Sequence, residues 1–202
     1  MQFSENQYPA FLRDGDVIKN AFCAVQARLK TAFPENVFRH FVVPPRASKS
    51  VWQRIISPDQ SIALGWSGWK PDARHARVFR GDLVFQVYGI VRHQRPEDLY
   101  FGTSQLRGVG TMGLFTIMAG FLHGFQVKGA GTVLLSATDL PEGLADWIEE
   151  DCAIAAFTLT IPNVSLDDDR MRAQMDDFLR LSETWTVNGD EQTPAILSVR
   201  GD

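Results

Sequence analysis

The chain has 202 residues, 45% of them hydrophobic and 22% charged, the balance of an ordinary globular chain long enough to bury a core without disulfide or metal staples. Its formal net charge of −4 excludes the global basic excess that draws a protein to nucleic acid or to an anionic membrane. The two cysteines, Cys23 and Cys152, form no CxxC or Cys/His cluster, so both are expected to be buried thiols in a reducing compartment. Met1 to Gln7 lacks the basic-then-apolar pattern of a secretory signal, which places folding in a cytoplasm.

Residues 1–14 form a short polar arm broken by Pro9. Ile18, Phe22, Val25, Leu29 and Phe33 then recur at three- and four-residue steps. That spacing predicts an amphipathic helix from about Asp16 to Phe33, capped by Asp14 or Asp16 and stopped by Pro34. Cys23 sits beside the stripe and is expected to pack rather than act as a nucleophile. Val37 to Val43 reads as a strand ended by Pro44-Pro45. Residues 44–75 read as loop, with a short apolar run from Ser61 to Trp66 and three tryptophans, Trp52, Trp66 and Trp69.

A long strand is expected over about 76–92. Leu83, Phe85, Val87 and Val91 alternate with polar residues such as Arg80, Asp82 and Gln86, the pattern of a strand with one buried face. Arg95 to Tyr100 reads as a polar connection. An apolar helix, buried on most sides, follows over about 103–123. Its uncharged run Val109 to Val127 holds four glycines and no flanking basic clusters, which argues against a membrane span. Thr132 to Ala137 is a short strand, Leu140 to Glu150 a loop or single helical turn, and Ala153 to Ile161 a strand ended by Pro162. A helix over 167–181 carries a narrow stripe of Met171, Met175 and Phe178. Strands at 184–187 and 195–199 flank a loop that starts at Asn188-Gly189. Residues 15–164 thus read as a main α/β (α+β) domain: a mixed or antiparallel sheet packed by two main helices. Residues 44–75 form an insertion in it, and 165–202 form a helix-and-hairpin appendage.

Gly108, Gly110 and Gly113 fit G-x-G-x-x-G, the backbone cradle for a pyrophosphate, but that fingerprint needs a strand directly before it. Phe101 to Arg107 does not read as one. The histidines, His40, His75, His93 and His123, have no metal-ligand spacing. Glu149-Glu150-Asp151 and Asp167-Asp168-Asp169 read as solvated faces. The one concentration of basic and aromatic residues is Trp66, Trp69, Arg74 and Arg77, with Lys70 and Arg80 nearby. Trp and Arg are enriched at protein interfaces. With a negative net charge, these four are expected to form an assembly contact rather than a nucleic-acid site.

Three phrases belong together: Phe85-Gln-Val-Tyr-Gly-Ile-Val-Arg92, Gly120-Phe-Leu-His-Gly-Phe125, and the pair Thr132–Ala137 with Ala155–Ile161. With the opening Ala27-Arg-Leu-Lys-Thr-Ala-Phe-Pro34, they make residues 15–164 similar to the tail terminator (tail-completion) proteins of tailed phages, of the Mu-like and lambda-like kind. The resemblance implies a non-enzymatic virion protein without cofactor, assembled in the host cytoplasm and sited at the tail neck. It implies a homo-oligomeric ring, of six copies, that caps the tail tube and stops its growth. The partners it implies are the tail-tube protein, the head–tail connector and, where the tail contracts, the sheath; no membrane or sequence-specific nucleic acid is among them. Another neck or tube adaptor is the alternative within the class, and a nucleotide-binding enzyme built on Gly108, Gly110 and Gly113 the alternative outside it.

Overall fold

A computed structural model of the chain describes residues 15–72, 80–104, 109–141 and 144–166, with the short pieces 186–187 and 190–191. Helix α1 spans Asp16–Ala32. Its buried stripe is Ala21, Val25 and Leu29, continued by Phe33, with Ile18 and Phe22 half-buried beside it. A turn leads to β1, Arg39–Val43. Helix α2, Lys49–Ile56, and strand β2, Gln60–Pro71, follow. Next come β3, Arg80–Arg92, the short helix α3, Pro96–Phe101, and helix α4, Thr111–Leu122. A small hairpin of β4, Gln126–Val127, and β5, Gly131–Thr132, precedes β6, Leu134–Ala137. A 3-10 turn at Ala145–Trp147 leads to β7, Cys152–Ser165.

Five strands form one mixed sheet in the order β1-β2-β3-β7-β6. The β1–β2 pair is parallel and the others antiparallel. The fold is therefore α+β, as the sequence predicts. The segment 44–75, expected to be loop, instead supplies α2 and the second strand of the sheet. Two parallel neighbours need a crossover of a dozen or more residues, and α2 lies in that crossover.

Helices α1 and α4 cover one face of the sheet. There Leu114, Met118 and Leu122 join Val25, Leu29, Leu64, Leu83, Phe85, Val87, Phe157, Leu159 and Ile161 in the main core. Arg28 ties the two helices together. Its Nε–H donates to the Phe121 carbonyl at 3.0 Å, and its guanidinium lies 4.9 Å from the Phe121 ring centre. The opposite face carries a second core of Trp52, Ile55, Ile56, Ala63, Tyr88, Ile90, Leu144, Cys152 and Ala156. Strand β3 is thus buried on both faces, not one. Its odd positions face α1 and α4, while Tyr88 and Ile90 lie under α2 and the 140–148 segment.

Two strand expectations change. Pro162 does not end β7. The register slips there, from Leu83 opposite Ile161 to Gly81 opposite Val164, so a residue with no N–H to donate falls in a bulge. Asn163 takes φ 59°, and its N–H donates to Asp82 Oδ1 at 3.2 Å. The strand expected over 132–137 is divided between β5 and β6. The 95–100 connection is helical as α3, and residues 103 and 104 do not belong to α4. Strand β8, Thr186–Val187, pairs antiparallel with β9, Asp190–Glu191. The helix expected over 167–181 and the strand over 195–199 lie outside the described residues.

Candidate assembly surfaces

Helix α4 is apolar along nearly its whole length, TMGLFTIMAGFL, yet it is buried on a single stripe, Leu114, Met118 and Leu122. The expectation that it is buried on most sides does not hold. It crosses β3 at Gly89, where an added Cβ would sit 2.0 Å from Leu114 Cδ2 and 2.7 Å from Met118 Sδ. Thr111, Ile117, Ala119 and Phe121 are half-buried, and the outer side is open: Met112 is 54% exposed and Phe115 42%, although the Phe115 ring also lies 4.4 Å from that of Phe157.

Gly110, at the amino end of α4, abuts the end of α3. A Cβ there would lie 2.3 Å from the Gly102 nitrogen and 2.5 Å from the Tyr100 carbonyl. The Thr111 hydroxyl donates to the Leu99 carbonyl at 2.6 Å. This close joint sets Tyr100, 57% exposed, and Phe101, 75% exposed, beside the first turn of α4. Two exposed aromatic rings thus stand at the end of α3, which abuts the amino end of a helix that itself exposes Met112 and Phe115. Large exposed apolar groups gathered in this way mark interaction sites, whereas scattered single ones do not.

The same joint bears on the glycine motif. Between β3 and Gly110 the described residues hold helix α3 and no further strand, so no strand is seen directly before the motif. Gly110 serves close packing of two helix ends, Gly113 faces solvent, and Gly108 lies outside the described residues.

A second surface flanks the other core. A cleft of about 760 Å³ opens between the β1–α2 turn and the middle of β2; Pro44, Pro45, Arg46, Trp52, Trp66 and Tyr88 are among its lining residues. Trp52 meets Tyr88 edge-on at 5.0 Å, and the Tyr88 hydroxyl donates to Gln86 Oε1 at 2.6 Å. Burial pushes the Tyr88 phenol up to about 12. Of the four residues expected to share an assembly contact, Trp66 is 42% exposed at this cleft. Trp69 is half-buried against the main core, beyond a register shift between Trp66 and Gly68. Arg74 and Arg77 lie outside the described residues.

The other polar groups serve the fold. Glu149 and Asp151, expected to be merely solvated, bind Arg92 at the end of β3. Its Nη2 lies 2.8 Å from both Asp151 carboxylate oxygens and also meets Glu149. The hydrogen bond that Arg92 donates to Asp151 raises the Arg92 pKa. His40 Nε2–H donates to the Phe33 carbonyl at 2.7 Å, and His93 Nε2–H to the Val109 carbonyl at 3.1 Å. His123 Nδ1 accepts the Leu135 N–H. His75 lies outside the described residues. Among the described residues no group of three or more His, Cys, Asp or Glu side chains is placed to hold a metal ion. No helix among them is long and apolar enough to cross a membrane. Cys23 is exposed, contrary to expectation, because it lies two residues past Ala21 and so turns about 200° round the helix from that buried position. Cys152 is buried, and burial pushes its thiol up to about 11.

No family model matches the chain, and no curated protein matches it. Sequence reading missed the apolar surface of Tyr100, Phe101, Met112 and Phe115. The available signal was the apolar character of every face of α4, which sequence alone reads as deep burial.

Proposed function

We propose that the chain is a structural subunit of a phage-type tail, a tail terminator that caps the tube and forms a closed ring with copies of itself. The observation that carries this reading is the outer face of α4. An apolar helix packed on one stripe only, with Tyr100 and Phe101 beside it, is built to be covered by another protein surface. Ring closure needs a heterologous contact, one patch meeting a different patch on the next copy, and α4 supplies one half of such a pair. The α+β sheet with two helices on one face agrees with the architecture that the resemblance implies. No step of this function calls for a catalytic group: the energy comes from burying apolar surface, at about 25 cal/mol per Å².

The test is a double substitution, Phe101→Ser with Met112→Ser. Both side chains are more than half exposed, so the folded subunit should keep its stability within about 0.5 kcal/mol. Binding to tube ends and self-association should both be lost. A double variant that still caps tubes like the parent would remove α4 from the account.

A further inference from the structure

We infer that the cleft beside Pro44 and Pro45 receives the aromatic end of α3, Tyr100 and Phe101, from a second copy of the chain, so that each subunit gives one knob and accepts one. This inference rests on the reading of the chain as a ring subunit, and it names the patch that the α3–α4 side meets on its neighbour.

The knob is built on a short, fixed element. Phe101 is 75% exposed and Tyr100 57%, at the carboxyl end of the six-residue helix α3. Glu97 is exposed one turn earlier. Residues three and four apart share a helix face, so one face of α3 carries a carboxylate followed by two rings. Leu99 is buried, its carbonyl accepts the Thr111 hydroxyl, and Gly110 lets the two helix ends touch. Rings held out in this way lose little freedom when they are bound.

The cleft has the complementary shape and chemistry. Trp52 and Tyr88 meet edge-on in it, and Pro44 and Pro45 line it with them. The Tyr88 hydroxyl is already bonded to Gln86, which leaves the wall free for apolar contact. Its volume of about 760 Å³ falls within the roughly 300–1,000 Å³ of sites that enclose whole small ligands, room for two rings. Buried aromatic anchors in pockets of this kind carry most of the energy of protein interfaces.

Charge completes the match. Among the described residues that line the cleft, Arg46 alone is charged, and it is exposed beside the two prolines. The charged residues within α3 are Glu97 and Asp98; Arg95 is the cap at the end away from Phe101. A carboxylate beside the rings thus meets a guanidinium beside the prolines, which fixes the orientation of docking.

The sheet lies between the two patches. Helix α4, which α3 abuts, packs on the face of Phe85 and Val87, whereas Trp52 and Tyr88 belong to the core on the other face. The contact therefore joins different copies. It is heterologous, so copies add head to tail and close into a ring when the rotation per copy allows.

Two variants test this by light scattering over a concentration series up to about 1 mM. The knob variant is Tyr100→Ser with Phe101→Ser; the cleft variant is Pro45→Glu with Arg46→Glu. All four side chains are exposed, and unchanged urea midpoints check that both variants fold. The parent is expected to self-associate, and each variant alone about tenfold more weakly or less. Mixed in equal amounts, the two should form dimers and nothing larger, because one intact knob and one intact cleft remain. Glu97→Arg added to Arg46→Glu in one chain should associate about tenfold more tightly than Arg46→Glu alone. Either variant associating like the parent would overturn the inference. If the cleft variant alone does so, the ring reading stands with a different second patch. A mixture that stays monomeric, or that reaches the parent's mass, would overturn the inference too. A parent that is monomeric throughout would also overturn it, and the ring reading would then be decided at tube ends.

Discussion

Gly89 lets α4 lie close against β3, and the cost of changing it is predictable. Gly89→Ala drives a methyl into Leu114 and Met118, both fully buried, so α4 must lift. Overpacking of this kind costs about 1–3 kcal/mol. Gly120 lies in the same helix with nothing within 4 Å of an added Cβ. Gly120→Ala should therefore stabilise the chain by about 0.5–1 kcal/mol. Urea unfolding of the two variants, measured side by side, should give opposite signs. Two buried acids set a second residue-scale expectation. In the folded chain burial pushes Cys152 from 9.0 up to about 11 and Tyr88 from 10.0 up to about 12. The unfolded chain loses these protons first. Their contribution is whole below about pH 9 and is lost as pH rises through about 11 and 12. The urea midpoint should fall steeply above about pH 9. Tyr88→Phe should flatten that fall while costing about 1 kcal/mol at neutral pH, through loss of the bond to Gln86.

Among the elements, α1 was legible from its stripe, and β3 and β7 from their alternating apolar positions. These segments are long enough for a period to show. Helix α2 carried a signal too, Trp52, Ile55 and Ile56 at helical spacing, but eight residues between Pro45 and Pro58 read as loop. The second core was hidden for the same reason. Tyr88, Ile90, Ile154 and Cys152 lie on the strand face that alternation assigns to solvent, and only the placement of α2 and the 140–148 segment shows why they are apolar. Ile55 is wholly buried in that core, so Ile55→Ala should cost about 2–5 kcal/mol. A loss below about 1 kcal/mol in equilibrium unfolding would mean that α2 is not an integral layer of the fold. The candidate surfaces were less legible than the fold. Trp66 was singled out and lies exposed at a cleft, but the grouping of Tyr100 and Phe101 with Met112 depends on the joint at Gly110, which no periodicity encodes.

For the whole molecule, the two faces of the sheet differ in kind. One carries α1 and α4 over the main core and leaves an apolar helix surface outward; the other carries α2 over a smaller core and leaves an aromatic cleft. A subunit with two different surfaces on opposite sides is suited to heterologous contacts, which close into rings when the rotation per copy allows. The central claim is association through the apolar surface, and its most direct measurement is mass by light scattering over a concentration series, with and without tail-tube protein. A closed ring of about six copies, formed alone or on tube ends and abolished by Phe101→Ser with Met112→Ser, is the predicted result. A chain that stays monomeric at every concentration and does not bind tube protein would contradict the account.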